Sequence, residues 1–358
     1  MSLLANKRKG VLQSGFTIVE LMIGLLLSMM LMVGVLQVYM GSKTTYRVTE
    51  GLSRLQENTR SSAEMLAKDI RMAGYIPCSQ PQNSASIINA NDWWAQIFEQ
   101  PIRGFEGEIN SVGFPAEIID DVAPGTDALV VIRSGSKVAG VKLFDQAHNQ
   151  FILQRAVEPG WVDDGSLMVV CDSTNARLFQ ASAINTSSVT VADIGAAPSP
   201  GNAGSIARDF GSDAQLANYS AVIYYIRNSP NGDGFSLYRS FLNVNGSGDN
   251  VPLTEELAGG IENMQLLYGY DSDGDGNAER YLKASNPIFN TLSNWRNVAT
   301  VKIGLLYASA DGLREGADLD NAVYVVANTE IGTSTDVTHE ADRRKRYVAS
   351  MTVSLRNL

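Results

Sequence analysis

FTIVELMIGLLLSMMLMVGVLQVYM, residues 16–40, carries a single charge, Glu20, in 25 residues. As a helix rising 1.5 Å per residue it spans about 37 Å, enough to cross a hydrocarbon core of about 30 Å with some tilt. On its N-terminal side stand Lys7, Arg8 and Lys9, the only charged residues before Glu20. A positive flank stays cytoplasmic, which sends the body of the chain outward. A secretory signal would have a shorter apolar region and a small-residue cleavage site. Here Gly41-Ser42-Lys43-Thr44 follows, with no A-x-A pattern. A plain signal anchor would share the basic flank and the apolar run, but it needs no carboxylate at membrane depth, where an ionisable group is costly and has a partner or a role. The alternative for Glu20 is to snorkel to the cytoplasmic interface.

Beyond the apolar run the period changes but the helix does not stop. Leu52, Leu55, Thr59, Ala63, Leu66, Ile70 and Ala73 recur at three- and four-residue spacing and make one apolar face. The other face is charged, with Glu50/Arg54 and Glu64/Lys68 at i,i+4 and Glu57/Arg60 at i,i+3. No proline precedes Pro77, and Gly74 followed by Pro77 makes a stop. Residues 16–74 would run about 88 Å if unbroken, with Gly34 and Gly41-Ser42 as places to bend. The expected division is an apolar half at 16–40 and an amphipathic half at 41–74 that lies on a globular head. The alternative, a coiled-coil stalk, wants more large apolar residues after Leu55.

From residue 75 the chain reads as strands and turns. Residues 127–133 and 167–171 are buried-strand runs; residues 221–227 and 235–242 are rich in aromatic and β-branched types, with the turn cluster 228–234 between them suggesting a hairpin. Met264, Leu266, Tyr268 and Tyr270 alternate, as do Ala299, Val301, Ile303, Leu305 and Tyr307, and Tyr347, Ala349, Met351, Val353 and Leu355. Period two with one face inward is the sheet signal. The Pro- and Gly-rich stretch 194–205 is either a boundary between two lobes or a long surface loop. The expectation is an α+β fold: a long N-terminal helix packed on an antiparallel, β-sheet-rich head over residues 75–358.

The chain has 28 Lys+Arg against 38 Asp+Glu, a net charge of -10, which argues against broad non-specific binding to nucleic acid or anionic lipid. Two cysteines, Cys78 and Cys171, fit one disulfide in an oxidising compartment or two buried thiols in a reducing one, and the outward topology favours the disulfide. Asp271, Asp273, Asp275, Asn277 and Glu279 follow the alternation of a calcium loop, with Gly276 where the turn needs it. The twelfth position, usually a bidentate Glu, is Leu282, and the flanks read as strands. The competing reading is an acidic hairpin turn that binds nothing; no cofactor is required. The basic run Arg343-Arg344-Lys345-Arg346 reads as a solvated turn beside Glu340 and Asp342 rather than a site for an anionic partner. Trp93, Trp94 and Trp161 read as core aromatics rather than exposed binding groups. His148 and His339 are in no metal-ligand spacing, and no catalytic or phosphate-binding motif is present, so the chain does not read as an enzyme.

The basic cluster, Gly15, Phe16 and Glu20 together resemble the prepilin cleavage and methylation motif of type IV pilins and type II secretion pseudopilins. The resemblance implies a cytoplasmic leader, residues 1–15, cut from Phe16 by a prepilin peptidase, and methylation of the new N-terminal Phe16. It also implies that Glu20 neutralises the amine of a neighbouring subunit during assembly. Asp69-Ile70-Arg71-Met72-Ala73-Gly74-Tyr75 and Cys78 resemble the end of the long helix in minor pilins of the PilW type. That likeness implies an inner-membrane protein that enters the filament, with other minor pilins, the major pilin and a large tip adhesin as partners. Pilus assembly, twitching motility, adhesion and DNA uptake are the implied functions. A pseudopilin of type II secretion and an anchored, calcium-dependent binding module are the alternatives.

Overall fold

The computed structural model describes residues 15–357 except 79–80, 90–91, 108–113, 117, 120, 208–209, 231–233 and 310–318. The expected leader, apart from Gly15, lies outside the described residues. The fold is α+β, 41% strand and 21% helix. It divides into two compact units, residues 1–52 and 53–358.

The one α-helix among the described residues, α1 (Ile18–Arg71), contributes to both units. Neither Gly34 nor Gly41 breaks it. It begins where Thr17 and Glu20 cap each other: the Thr17 amide and hydroxyl donate to Glu20 Oε2 (3.0 and 3.1 Å), and the Glu20 amide donates to Thr17 Oγ1 (3.2 Å). This reciprocal pair satisfies amides that a helix start leaves without partners. The helix ends at Arg71, and Gly74, at φ 73°, turns the chain away, a conformation that costs glycine little.

In the second unit the helix buries Leu55, Leu66, Ala67 and Ile70, and Ala73 is buried just past its end, close to the expected face; the Leu52 side chain lies outside the described residues. Two polar residues join that face. Ser62 is buried with its hydroxyl 2.7 Å from the Tyr307 hydroxyl. Asp69, in the last turn, accepts from Arg133 at 3.2 Å and from the Tyr224 hydroxyl. A carboxylate at a helix C-terminus opposes the macrodipole, and the guanidinium offsets that.

Ten strands make the larger sheet: β1 (Asn83–Ser86), β2 (Ile102–Phe105), β3 (Ala128–Asp145), β4 (Gln150–Leu153), β5 (Leu167–Cys171), β6 (Asn175–Ile184), β7 (Ser188–Val191), β8 (Gln215–Asn228), β9 (Phe235–Val244) and β10 (Asn250–Gly259). Its pairings close on themselves. Strand β3 pairs β8, β8 pairs β5, and β6, β7 and β4 lead back to β3, all antiparallel. This ring is a small barrel filled by Phe144, Phe151, Phe179, Phe210, Met168 and Val170. Strands β9, β10 and β2 extend from it as open sheet. The stretch 194–205 is a loop whose Asn202 is laid against the ring. Asn202, fully buried, donates to the carbonyls of Gln180 and Ala192 and accepts from the Gln180 amide.

A second sheet holds β11 (Ile261–Tyr270), β12 (Arg280–Leu282), β13 (Val298–Ala308) and β17 (Arg346–Ser354), in the order β12-β11-β13-β17. A third, small sheet holds β14 (Tyr324–Val326), β15 (Thr329–Gly332) and β16 (Val337–Thr338). The main core joins Leu55, Leu66, Ala67 and Ile70 of the helix and Ala73 after it, β3 and β8 of the first sheet, and the inward rows of β11 and β13. Asp127 stitches the two larger sheets: its carboxylate accepts from the Gly107 amide at 2.9 Å and the Leu266 amide at 2.7 Å. Burial, then the neighbouring Glu106 carboxylate, push the Asp127 carboxyl well above the usual range. In β17 the expected inward row holds at Ala349, Met351 and Val353 but not at Tyr347, which is 53% exposed. The opposite row also packs, with Val348 against Leu306, Val326 and Ile331.

Candidate functional site

Three features carry the candidate chemistry. The first is the exposed start of α1. Ile18, Leu21, Leu25, Leu31 and Leu36 are each more than half exposed, and Phe16 is 87% exposed. The apolar window has a mean hydropathy of 2.4, long and apolar enough for a candidate membrane anchor. Along the helix Ser28 Oγ donates to the Gly24 carbonyl (2.7 Å), and past the apolar run Thr45 Oγ1 donates to that of Gly41 (3.0 Å). Glu20 sits in the first turn of this run, one turn from Phe16. Its Oε2 is engaged by Thr17, a contact that survives if the chain starts at Phe16.

The second feature is the acidic loop joining β11 to β12. Asp271, Asp273, Asp275 and Glu279 each place a carboxylate oxygen within 4.8 Å of the others. The loop is wound by its own amides. Asp271 accepts from Asp273 (3.2 Å), Gly274 (2.7 Å) and Gly276 (2.8 Å), and Glu279 accepts from the Ser272 amide (2.7 Å). The Gly276 bond leads in holding the Asp271 carboxyl below the usual range. Gly276 is at φ 84°, a conformation other residues resist. Asn277 is turned back onto Asp275 (3.0 Å). Leu282 lies in β12 and offers no carboxylate.

The third is the link between the helix end and the barrel. Cys78 and Cys171 are joined by a disulfide, their Cα atoms 5.9 Å apart. It ties the segment after α1 to the buried end of β5.

The basic run at 343–346 is a solvated turn only in part: Arg343 and Lys345 are exposed, whereas Arg344 and Arg346 turn inward. The Arg346 side chain is fully buried among three carboxylates. It meets Glu262 through Nε (2.6 Å) and Nη2 (3.0 Å), Asp342 through Nη1 (2.8 Å) and Nη2 (3.0 Å), and Asp320 through Nη1 (3.1 Å). Arg344 adds a contact to Asp342 at 3.3 Å. Asp342 is visible in the sequence as a neighbour; Glu262 and Asp320 come from distant segments, so only the fold brings them in. Trp94 is buried, and Trp93 and Trp161 are half-buried against core clusters. His148 bonds Asp145 (2.7 Å), whereas His339 meets the carbonyls of Glu340 and Ala322.

Residues 223–357 match the family of PilW, type IV pilus-assembly protein W. The match begins within β8 and takes in β9 to β17, including the acidic loop and the Arg346 cluster. It supports a PilW-type family and, with it, a role in type IV pilus assembly. No curated protein and no solved structure matches the chain.

Proposed function

We propose that this protein is a minor pilin that joins a priming or tip complex and starts assembly of a type IV pilus. The observation that carries the reading is an exposed apolar helix attached to a head whose second half matches a pilus-assembly family. The leader, residues 1–15, stays in the cytoplasm, and a prepilin peptidase cuts between Gly15 and Phe16, after which Phe16 is methylated. The helix holds the protein in the inner membrane with its head in the periplasm until it moves into the filament. There Glu20 pairs with the amine of an adjacent subunit, since a carboxylate in low dielectric demands a cation. The capping bonds from Thr17 occupy one oxygen of Glu20 and leave the other for that partner. Other minor pilins, the major pilin and a tip adhesin are its neighbours, and adhesion, twitching motility and DNA uptake are the processes served.

The acidic loop is proposed to take Ca²⁺. Asp271, Asp273, Asp275 and Glu279 would hold the ion through oxygens already within 4.8 Å of one another. Asn277 would have to turn from Asp275 to add its own. A hard cation of six to eight oxygen ligands suits such a set.

The deciding experiment is the mass of the N-terminal peptide of membrane-extracted protein from cells with and without the prepilin peptidase. A methylated Phe16 terminus that depends on the peptidase is the expected result. A chain beginning at Met1 or Ser2 in both cells would overturn the pilin reading.

A further inference from the structure

Strand β8 changes partner along one edge. Its residues 215–218 pair with β5, and residues 222–228 pair with β9, while β3 takes the other edge from 215 to 224. Tyr219, Ser220 and Ala221 therefore have no strand on that side, because β5 stays in the ring and β9 leaves it for the open sheet. Such a fork exposes backbone and side-chain groups that a continuous sheet would consume. A cavity of about 270 Å³ opens there. That is close to the lower end of the range for small-ligand pockets, about 300–1,000 Å³.

The lining carries more cations than carboxylates. Arg133, Lys137 and Arg239 converge on the cavity, in a protein of net charge -10. Asp69 and Asp163 also line it. Arg133 pairs with Asp69, and Arg239 pairs with Glu255 outside the cavity. Even so, 23% of the Arg133 side chain stays exposed, so part of its guanidinium arm borders the cavity. A guanidinium has five N–H donors and a fork suited to carboxylate. Neutral groups surround the cations. Ser220 and Asn243 lie two residues beyond the Val222–Phe241 pair, where β8 and β9 begin to part. The Asn218 side chain lies over Gly135, where a Cβ would come within 2.2 Å of its Oδ1, and that oxygen accepts from the Lys137 amide (3.1 Å).

We propose that this cleft binds one acidic sugar unit, a uronic acid, with its carboxylate against Arg133 and Lys137 and its hydroxyls against Asn218, Ser220 and Asn243. Cations beside amides and hydroxyls suit a ligand that combines one carboxylate with several hydroxyls, and an apolar ligand would desolvate the three cations without return. The assignment goes beyond the pilus reading and does not depend on it.

The test is a calorimetric titration of the full chain in detergent with glucuronate, glucose and acetate. Glucuronate should bind saturably and roughly tenfold or more tighter than either control, a margin one charge-assisted contact supplies. Arg133→Lys keeps a cation opposite Asp69 while removing the fork, and Asn243→Ala removes an exposed amide. Each should weaken glucuronate roughly tenfold with the thermal unfolding midpoint retained. Absence of saturable glucuronate binding overturns the proposal, as does binding that neither variant changes. Equal binding of glucose would remove the role of the cations, and equal binding of acetate would remove the sugar; either result also refutes the assignment.

Discussion

Replacing Arg346 with Met should be among the most damaging single changes in the head. The guanidinium is fully buried and holds five hydrogen bonds shorter than 3.2 Å to Glu262, Asp320 and Asp342. Methionine fills much of the volume but leaves three carboxylates facing one another, with Arg344 near two of them. Removing one partner of a buried ion pair costs about 3–5 kcal/mol, mostly through the charge left behind. The cost should depend on pH. Burial alone would raise the Asp342 carboxyl, but bonds from the Arg346 guanidinium and the Arg344 amide outweigh it and hold the group below its ordinary value. In the native protein that stabilisation is present above the unfolded carboxylate value and is lost as pH falls through the lower folded one. In the variant the stranded carboxylates repel one another, and protonation relieves that repulsion as the pH falls. Urea unfolding at neutral pH and near pH 4.5 should thus give a wide gap between native and variant that narrows in acid. A gap under about 1 kcal/mol at neutral pH, the level of an exposed pair, would refute the argument. So would a gap of about 3–5 kcal/mol that ignored pH, because it would mean lost packing rather than stranded charge.

Replacing Cys78 and Cys171 together by Ala should lower stability by about 4–5 kcal/mol, the chain-entropy value for a loop of this length, read as a fall in the urea midpoint without reductant. Tyr307→Phe removes the buried hydroxyl that meets Ser62 and should cost about 1 kcal/mol in the same assay, with Ser62→Ala adding little on top because the two act as one contact. Calcium should raise the thermal midpoint of the full chain in detergent, and Asp273→Asn with Asp275→Asn should abolish the rise; an unchanged rise would place any bound ion elsewhere. Glu20→Ala should leave membrane insertion intact and abolish recovery of the protein in sheared pili; normal recovery would remove the assembly role of that carboxylate.

The sequence by itself determined the features that depend on near neighbours. A run of 25 residues with one charge declares an apolar helix whatever surrounds it, because hydropathy and helical rise are local properties. The strand rows at Met264–Leu266–Tyr268 and Val301–Ile303–Leu305 are legible for the same reason, since period two is written along one strand. The acidic loop is legible as a string of carboxylates, and its oxygens do gather within 4.8 Å. The capping pair of Thr17 and Glu20 is also local, a Thr three residues before a Glu, but the charge of Glu20 inside an apolar run hides its capping role.

Tertiary structure decided everything that depends on which strands meet. Closure of six strands into a ring needs partners set by pairing between distant segments, and no periodicity within β3 or β8 announces it. The fork at Tyr219–Ala221 exists only because of that closure. Asp69 reads as a charged residue near a helix end until Arg133 and Tyr224 arrive from other strands to bury it. The basic run at 343–346 reads as solvated until the chain entering β17 brings Arg344 and Arg346 to Glu262, and Arg346 also to Asp320. The environment of a charge is fixed by contacts far away in the chain. Composition and spacing name the charges, and only the packed molecule says which of them leave water.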